Sequence, residues 1–334
     1  MPKTTYKYAE TTIIKDNSCV LSDALNAMRI GGSVLISEEY VPPWAVAIPV
    51  AAKLGSLLNV ASNVQVVAFH YVKRGFIELI PAAGKPLMIE AGEMAICFGG
   101  AAHQIAQHAN QPAVSVETIL MQGNNPFKPD ASNKARSTAV ICGVFMMHNV
   151  ALNPMFSALP PILHVSASQA SALHHLPDVL NWIGREIEQK IPCTFVIERL
   201  LELLCAEVLR SHLAHVTPES TWFNAVSDPI VGRAMSIIHS NPNADWTVNR
   251  LAQQVAMSPS RFAARFAAAL GDSPMAYITK WRMNLAGRML NETQQGVGKI
   301  AGHLGYENVA AFGRTFKRHL GVPPAAWRNR YKAK

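Results

Sequence analysis

The sequence predicts an α+β chain: an N-terminal β-barrel with amphipathic helices, followed by an all-α C-terminal domain. Three observations carry that expectation. Between about residues 30 and 150, short apolar runs alternate with Gly, Pro and Asn breaks. After about residue 173 the apolar period lengthens from that of strands to that of helices. Near the C-terminus one pattern occurs twice, as Trp246–Phe266 and Lys299–Arg318, each reading as a short helix, a tight turn and a second, basic helix.

Taken in order, residues 20–35 start as a short amphipathic helix that stops at Gly31-Gly32. Val64–Val72, Phe76–Pro81, Leu87–Ile89, Met94–Phe98 and Ser115–Met121 follow as short strands, the mark of an antiparallel sandwich or small barrel. The polar stretch Gln122–Ser137 interrupts them, and Thr138–Met147 reads as one more buried strand. From Leu173 to Val216, residues such as Val196, Leu200, Leu204 and Val208 recur at helical spacing. That stripe suits packing on the domain's own sheet or dimerisation. Pro218 then breaks the helix. The expected organisation is a domain over 1–216, a linker over 217–228 and a domain over 229–334, with helix-turn-helix units at 247–270 and 297–320.

Composition narrows the function. An apolar fraction of 49% with 16% charged residues supports packed cores. The five cysteines lie in apolar surroundings without C-x-x-C spacing, as reduced, buried thiols of a cytoplasmic protein would. The N-terminus lacks a signal-peptide apolar region, and the longest apolar stretches fall far short of the ~20 residues of a membrane helix. A soluble cytoplasmic protein with no membrane contact is expected. The net charge of +8 is unevenly placed. From Asp228 onward there are 15 Lys and Arg against 5 Asp and Glu, a net of +10; residues 1–227 hold 15 against 17, a net of −2. Segregated positive charge fits a nucleic-acid module or a solvated basic surface.

In the first repeat, Thr247 is placed to cap one helix and Ser258, followed by Pro259, to cap the next. Ala256-Met257 form the turn, Phe262, Phe266 and Leu270 face inward, and Gly271 ends the helix. A rod from Met275 to Leu290, about 25 Å long, bridges to the second repeat. That length can hold two readers near the ~34 Å repeat of successive major grooves. There Gly305 allows the turn, Asn308 caps, and Phe312 and Phe316 pack inward. The residues expected at DNA are Ser258, Ser260, Arg261, Ala264 and Arg265 in the first unit. Asn308, Ala310, Ala311, Arg314, Lys317 and Arg318 are their counterparts in the second. Arg314 suits a bidentate pair with guanine or a phosphate contact. Lys317, Arg318, Arg282 and Arg288 suit phosphate contacts or ordinary surface charge.

The run from Asp228-Pro-Ile through Trp246-Thr-Val, Gly271-Asp-Ser-Pro, Trp281-Arg-Met, Gly305-Tyr-Glu and Phe316-Lys-Arg to Gly321-Val-Pro-Pro resembles the DNA-binding domain of AraC/XylS-family transcription regulators. The resemblance implies two helix-turn-helix units on a seven-helix domain that bind consecutive major grooves. Ala256 stands where the family usually has Gly, so that turn is expected to survive with slight strain.

Upstream, Gly92–His103 resembles the second cupin motif, with Phe98 where the motif has proline. Phe69–Gly75, Cys142-Gly143 and Leu159–Val165 resemble landmarks of the cupin-type sensor domain of some AraC-family regulators. If Gly75 closes the first cupin motif, its glutamate position falls on Ala68, and Ala61–Val67 contains no histidine. His70 is misplaced to substitute, and one imidazole cannot hold a metal, since such sites use about three or four protein ligands. No metal, cofactor or catalytic residue is therefore expected, and His70 and His103 are interior histidines or effector-binding groups. Trp44, Phe69, His70, Phe98 and His103 would line an effector pocket or form ordinary core. The sequence also lacks G-x-S-x-G, H-E-x-x-H and phosphate-loop signatures. The expected function is a sequence-specific transcription regulator controlled by a small-molecule effector or dimerisation. Its expected partners are double-stranded promoter DNA, an effector, RNA polymerase and a second copy of the chain. The alternative is a metal-dependent cupin enzyme with a DNA-binding tail.

Overall fold

The computed structural model describes residues 17–61, 64–122, 125–130, 134–148, 150–167, 176–214 and 221–332. The polar N-terminus, Leu173–His175 and residues 217–220 of the expected linker lie outside these, as does the side chain of Cys19. The N-terminal region runs α1 (Asn17–Ala27), β1 (Arg29–Tyr40), β2 (Ala45–Ile48), α2 (Ala51–Leu57), β3 (Gln65–Arg74), β4 (Phe76–Pro81), β5 (Leu87–Glu90), β6 (Met94–Cys97) and β7 (His103–Ala106). It continues through β8 (Val114–Ser115), α3 (Val116–Gln122), β9 (Thr138–His148), α4 (Pro154–Ser157), β10 (Leu163–Val165), α5 (Leu176–Ile187) and α6 (Thr194–Ala214).

Two five-stranded sheets, ordered β1-β9-β3-β6-β10 and β5-β4-β7-β2-β8, form the barrel. The first sheet is buried on both faces. Along β3, Val66, Ala68 and Val72 enter the barrel core, while Val67 and Phe69 enter a second core under the helices. Along β9, Val140, Cys142 and Val144 point inward, and Ile141, Phe145 and Met147 point to the helices. A strand buried on both sides needs no polar alternation, which is why Ala139–Met147 carries no polar side chain. Gly143 makes room within it: a Cβ there would lie 2.7 Å from the Phe69 ring.

Three expectations are corrected. Ser115–Met121 is mostly helix: Val116 and Ile119, three residues apart, bury one helical face, and a segment this short fits either period. The first helix ends at Ala27, and Gly31-Gly32 belong to β1, where a Cβ on Gly32 would lie 2.8 Å from Leu201 Cδ1 of α6. That close approach places the apolar stripe of α6 on its own sheet. Cys97, Cys142 and Cys205 are buried free thiols, but Cys193 is exposed.

The expected linker is also partly helical. α7 (Thr221–Ser227) buries Trp222, Phe223, Ala225 and Val226. It is followed by α8 (Val231–Ser240), α9 (Val248–Gln254), α10 (Pro259–Leu270), α11 (Pro274–Glu292), α12 (Val297–His303), α13 (Val309–Leu320) and α14 (Pro324–Lys332). The 19 residues of α11 make a rod of about 28 Å. Its first half places Tyr277, Ile278 and Trp281 in the core shared with α8–α10. Its second half places Met283, Ala286 and Leu290 in a separate core with Phe312, Phe316 and Trp327.

Candidate functional site

The two helix-turn-helix units are built alike and punctuated differently. Thr247 caps α9 by accepting from the Arg250 N–H at 3.1 Å. The turn passes through Ala256 at φ +53°, and the Met257 N–H donates back to the Ala252 carbonyl at 2.9 Å. Ser258 occupies the N-cap position of α10, but its hydroxyl makes no capping bond, which corrects the expected role; Pro259 starts the helix without it. In the second unit Gly305 takes φ +76°, and Asn308 Oδ1 accepts from the Ala311 N–H at 2.9 Å. Phe262, Phe266, Phe312 and Phe316 are fully buried, so the aromatic residues of both units are core.

The outward faces separate scaffold cations from free ones. Ser258, Ser260, Arg261 and Ala264 are exposed on the first unit. Ala310, Arg314, Lys317 and Arg318 are exposed on α13, beside the half-buried Ala311. Among the described residues, no hydrogen bond or ion pair engages the side chains of Arg261, Arg314, Lys317 or Arg318. Arg265 differs from them. Its Nε and Nη2 donate to Asp228 Oδ2 at 3.2 and 2.7 Å, so it holds the start of α8 instead of standing free for DNA. Arg282 donates to the Pro242 and Ala244 carbonyls at 2.6 and 2.8 Å and lies against the Tyr306 ring. Arg288 donates to the Asn26 carbonyl at 2.6 Å. Arg282 and Arg288 thus clamp backbone segments of the scaffold.

The five residues expected in one barrel pocket divide between two cores. Trp44 belongs to the barrel core, whereas Phe69 and Phe98 face the helices, stacking on Phe145 and meeting Phe156 edge-on. The cause is strand alternation: Phe69 and His70 are neighbours and so point to opposite faces. His70 on β3 and His103 on β7 meet with their Nε2 atoms 2.8 Å apart, which corrects the expectation of a solitary imidazole. Cys97, absent from the expected site, places Sγ 3.7 Å from His103 Nε2. His103 Nδ1 lies 3.1 Å from the Ala101 carbonyl, which can only accept, so the proton sits on Nδ1 and Nε2 presents its lone pair. His70 Nε2–H then donates to it, leaving His70 Nδ1 buried without a partner among the described residues. Burial holds both imidazoles below their ordinary pKa and pushes the Cys97 thiol up to about 12. The cluster is neutral.

The chain matches a cupin family model over residues 20–214 and a helix-turn-helix domain model over residues 251–330. An AraC-like transcription regulator from Streptomyces lividans is 31% identical over 276 residues, covering 79% of this chain and 87% of that protein. The chain belongs to the AraC family of transcription regulators. The HTH-type transcriptional regulator AlkR of Acinetobacter baylyi is 25% identical over 264 residues, covering 78% of this chain and 86% of AlkR. Among solved structures, the DNA-binding domain of AdpA in complex with a target DNA is 29% identical, covers 32% of this chain and 95% of that one, and superposes with a TM-score of 0.31. As an AraC-family member the protein is a DNA-binding transcription regulator, with α9–α10 and α12–α13 as its helix-turn-helix units. Among the described residues, no helix is long and apolar enough to cross a membrane.

In this AraC-family chain α1 joins the barrel region to the C-terminal helices. That helix packs against α8 and α11, and its residues Val20, Leu21, Ala24 and Ala27 share one core with α7–α10. Ala24 also accepts a bond from Asn153 Nδ2 at 2.8 Å, tying the barrel side to the same helix. Next to it, His239 stacks on Trp281 at 3.8 Å, and its Nε2 hydrogen-bonds with the Tyr277 hydroxyl at 2.9 Å. Its Nδ1 lies 3.8 Å from Asp23 of α1.

Proposed function

We propose that this AraC-family protein is a sequence-specific promoter-binding regulator without catalytic activity. Its N-terminal barrel controls the two readers through a small-molecule effector or dimerisation. The observation that carries this reading is the set of exposed, unpaired cations on α10 and α13, one helix at each half of the α11 rod. Arg314 reads bases or phosphate, Arg261, Lys317 and Arg318 bind phosphate, and Ser260, Ala264, Ala310 and Ala311 present small surfaces to the groove. Ser258 and Asn308 place backbone N–H groups at the helix starts. A change in the barrel reaches the readers through α1, which rests on α8 and α11. RNA polymerase and a second copy of the chain are the protein partners in this reading, and double-stranded promoter DNA is the nucleic acid. The absence of catalysis is supported by Ala68, which takes the glutamate position of the first cupin motif if Gly75 closes that motif.

The test is fluorescence anisotropy of the full chain on promoter fragments and on random duplex, repeated across a salt series. A preference for particular fragments, weakening steeply with salt through counterion release, is expected. Equal affinity for all duplexes overturns the reading.

A further inference from the structure

The geometry points to a transition-metal site inside the barrel, with His70, Cys97 and His103 as ligands and zinc as the ion their chemistry suits. The donor atoms come from three strands and two sheets: His70 from β3, Cys97 from β6 and His103 from β7. All three residues are buried, and their ligand atoms lie within 4.8 Å of one another. Two imidazole nitrogens and one sulfur form a borderline-to-soft set, which favours zinc over magnesium, calcium or manganese.

The spacing suits a tetrahedral ion. Zn–N bonds of about 2.0–2.1 Å and a Zn–S bond of about 2.3 Å put nitrogen and sulfur about 3.6 Å apart and two nitrogens about 3.3 Å apart. Cys97 Sγ lies 3.7 Å from His103 Nε2, and the His70 donor lies within 4.8 Å of that sulfur. The two nitrogens, at 2.8 Å, need to part by about half an ångström. His103 is already oriented as a ligand, because Nδ1–H is held by the Ala101 carbonyl and Nε2 faces the cluster. Cys142 stands opposite His70 in the β3–β9 ladder and walls the site.

This donor set differs from the one the cupin motif implies. With Gly75 closing that motif, its glutamate position is Ala68, whose strand partner is Cys97, so a thiol stands beside the position a carboxylate would take. On binding, the ion displaces the Cys97 proton to solvent, and the His70 proton moves from Nε2 to Nδ1, giving two neutral imidazoles and one thiolate on the metal. One proton is released per ion. Because the ligands span both sheets, the ion pins them together.

The experiment uses the full chain, stripped by chelator dialysis and titrated with Co2+ as the spectroscopic probe, then with Zn2+ in competition. One Co2+ per chain is expected, with tetrahedral visible bands and a sulfur-to-cobalt charge-transfer band that Zn2+ abolishes. C97S should lose the charge-transfer band. C97S, H70Q and H103Q should each weaken the site at least about tenfold, since removing a mere supporting hydrogen bond from a metal-bound histidine already costs that much. Circular dichroism checks that each variant folds, and C193S, at the exposed cysteine, should leave the band intact. A folded wild-type chain that takes up no Co2+ or Zn2+ overturns the proposal without any variant. So does a charge-transfer band that survives C97S or disappears in C193S. None of these outcomes depends on DNA binding.

Discussion

Arg265 donates from Nε and Nη2 to one carboxylate oxygen of Asp228, while the other oxygen accepts from the N–H groups of Ile230 and Val231 at 2.8 and 2.9 Å. One aspartate thus caps α8 and holds the reading helix α10 against it. Asp228→Ala removes both functions and should lower the unfolding free energy in urea by about 1–2 kcal/mol, mostly through the lost cap. Arg265→Ala should cost under about 1 kcal/mol, as half-exposed ion pairs do. It should weaken specific DNA binding less than Arg261→Ala does.

The same pair sets an acid limit. Burial raises the Asp228 pKa, but the Arg265 and backbone bonds outweigh it and hold the carboxyl below its ordinary value of 3.8. A depressed acid stabilises fully above its unfolded value and loses that contribution as pH falls through the folded one. Urea melts of wild type and Asp228→Ala should therefore differ above pH 4 and converge in stronger acid.

His239 acts in a higher window. Burial among Trp281, Tyr277 and the α1 face lowers its pKa from 6.5 to about 3. The unfolded chain then binds a proton that the folded chain refuses, so stability falls as pH drops from 6.5 toward 3, by up to about 1.4 kcal/mol per pH unit. His70, also held below its ordinary value by burial, adds to this slope. His239→Phe should flatten the pH dependence of thermal melts in that window, and an unchanged slope would refute the assignment.

The two turns should respond in opposite directions to exchanging Gly and Ala. A Cβ on Gly305 would lie 2.5 Å from the Asn243 carbonyl oxygen and 3.1 Å from Arg282 Nη2. Adding the left-handed backbone penalty, Gly305→Ala should destabilise by at least about 2 kcal/mol. Ala256 already bears that penalty, and Ala256→Gly should stabilise by up to about 1 kcal/mol, the relief partly offset by chain entropy. Paired calorimetric melts decide the signs.

At the DNA interface, Arg314→Ala should cost about 1–3 kcal/mol on a cognate site and relax specificity there. Lys317→Ala should weaken all duplexes alike and reduce the salt slope by about one. Anisotropy titrations on cognate and random duplex at several salt concentrations separate the two roles.

The two helix-turn-helix units were legible because their signals are local. The Thr247 and Asn308 caps, the buried phenylalanines and the glycine turn each sit within a few residues of what they fix. The arginines held by the scaffold depend on distant partners. Nothing near Arg265, Arg282 or Arg288 in sequence announces Asp228, the 242–244 carbonyls or Asn26. The barrel cluster was missed for the same reason: strand alternation could have separated Phe69 from His70, but only the pairing of β3 with β6, and the facing position of β7, bring Cys97 and His103 to His70. Ser258 misled because the residue type and position were right and only the hydroxyl's bond is missing.

The continuity of α11 has a geometric consequence. Its two halves are buried in different cores, so the angular phase between the readers is fixed by how many residues separate Trp281 from Met283 and Leu290. One residue inserted there would rotate the second reader by about 100° and advance it by about 1.5 Å. In the proposed DNA-bound arrangement the groove spacing is thus set by the pitch of a single helix, and a change of one residue would demand an operator of different twist.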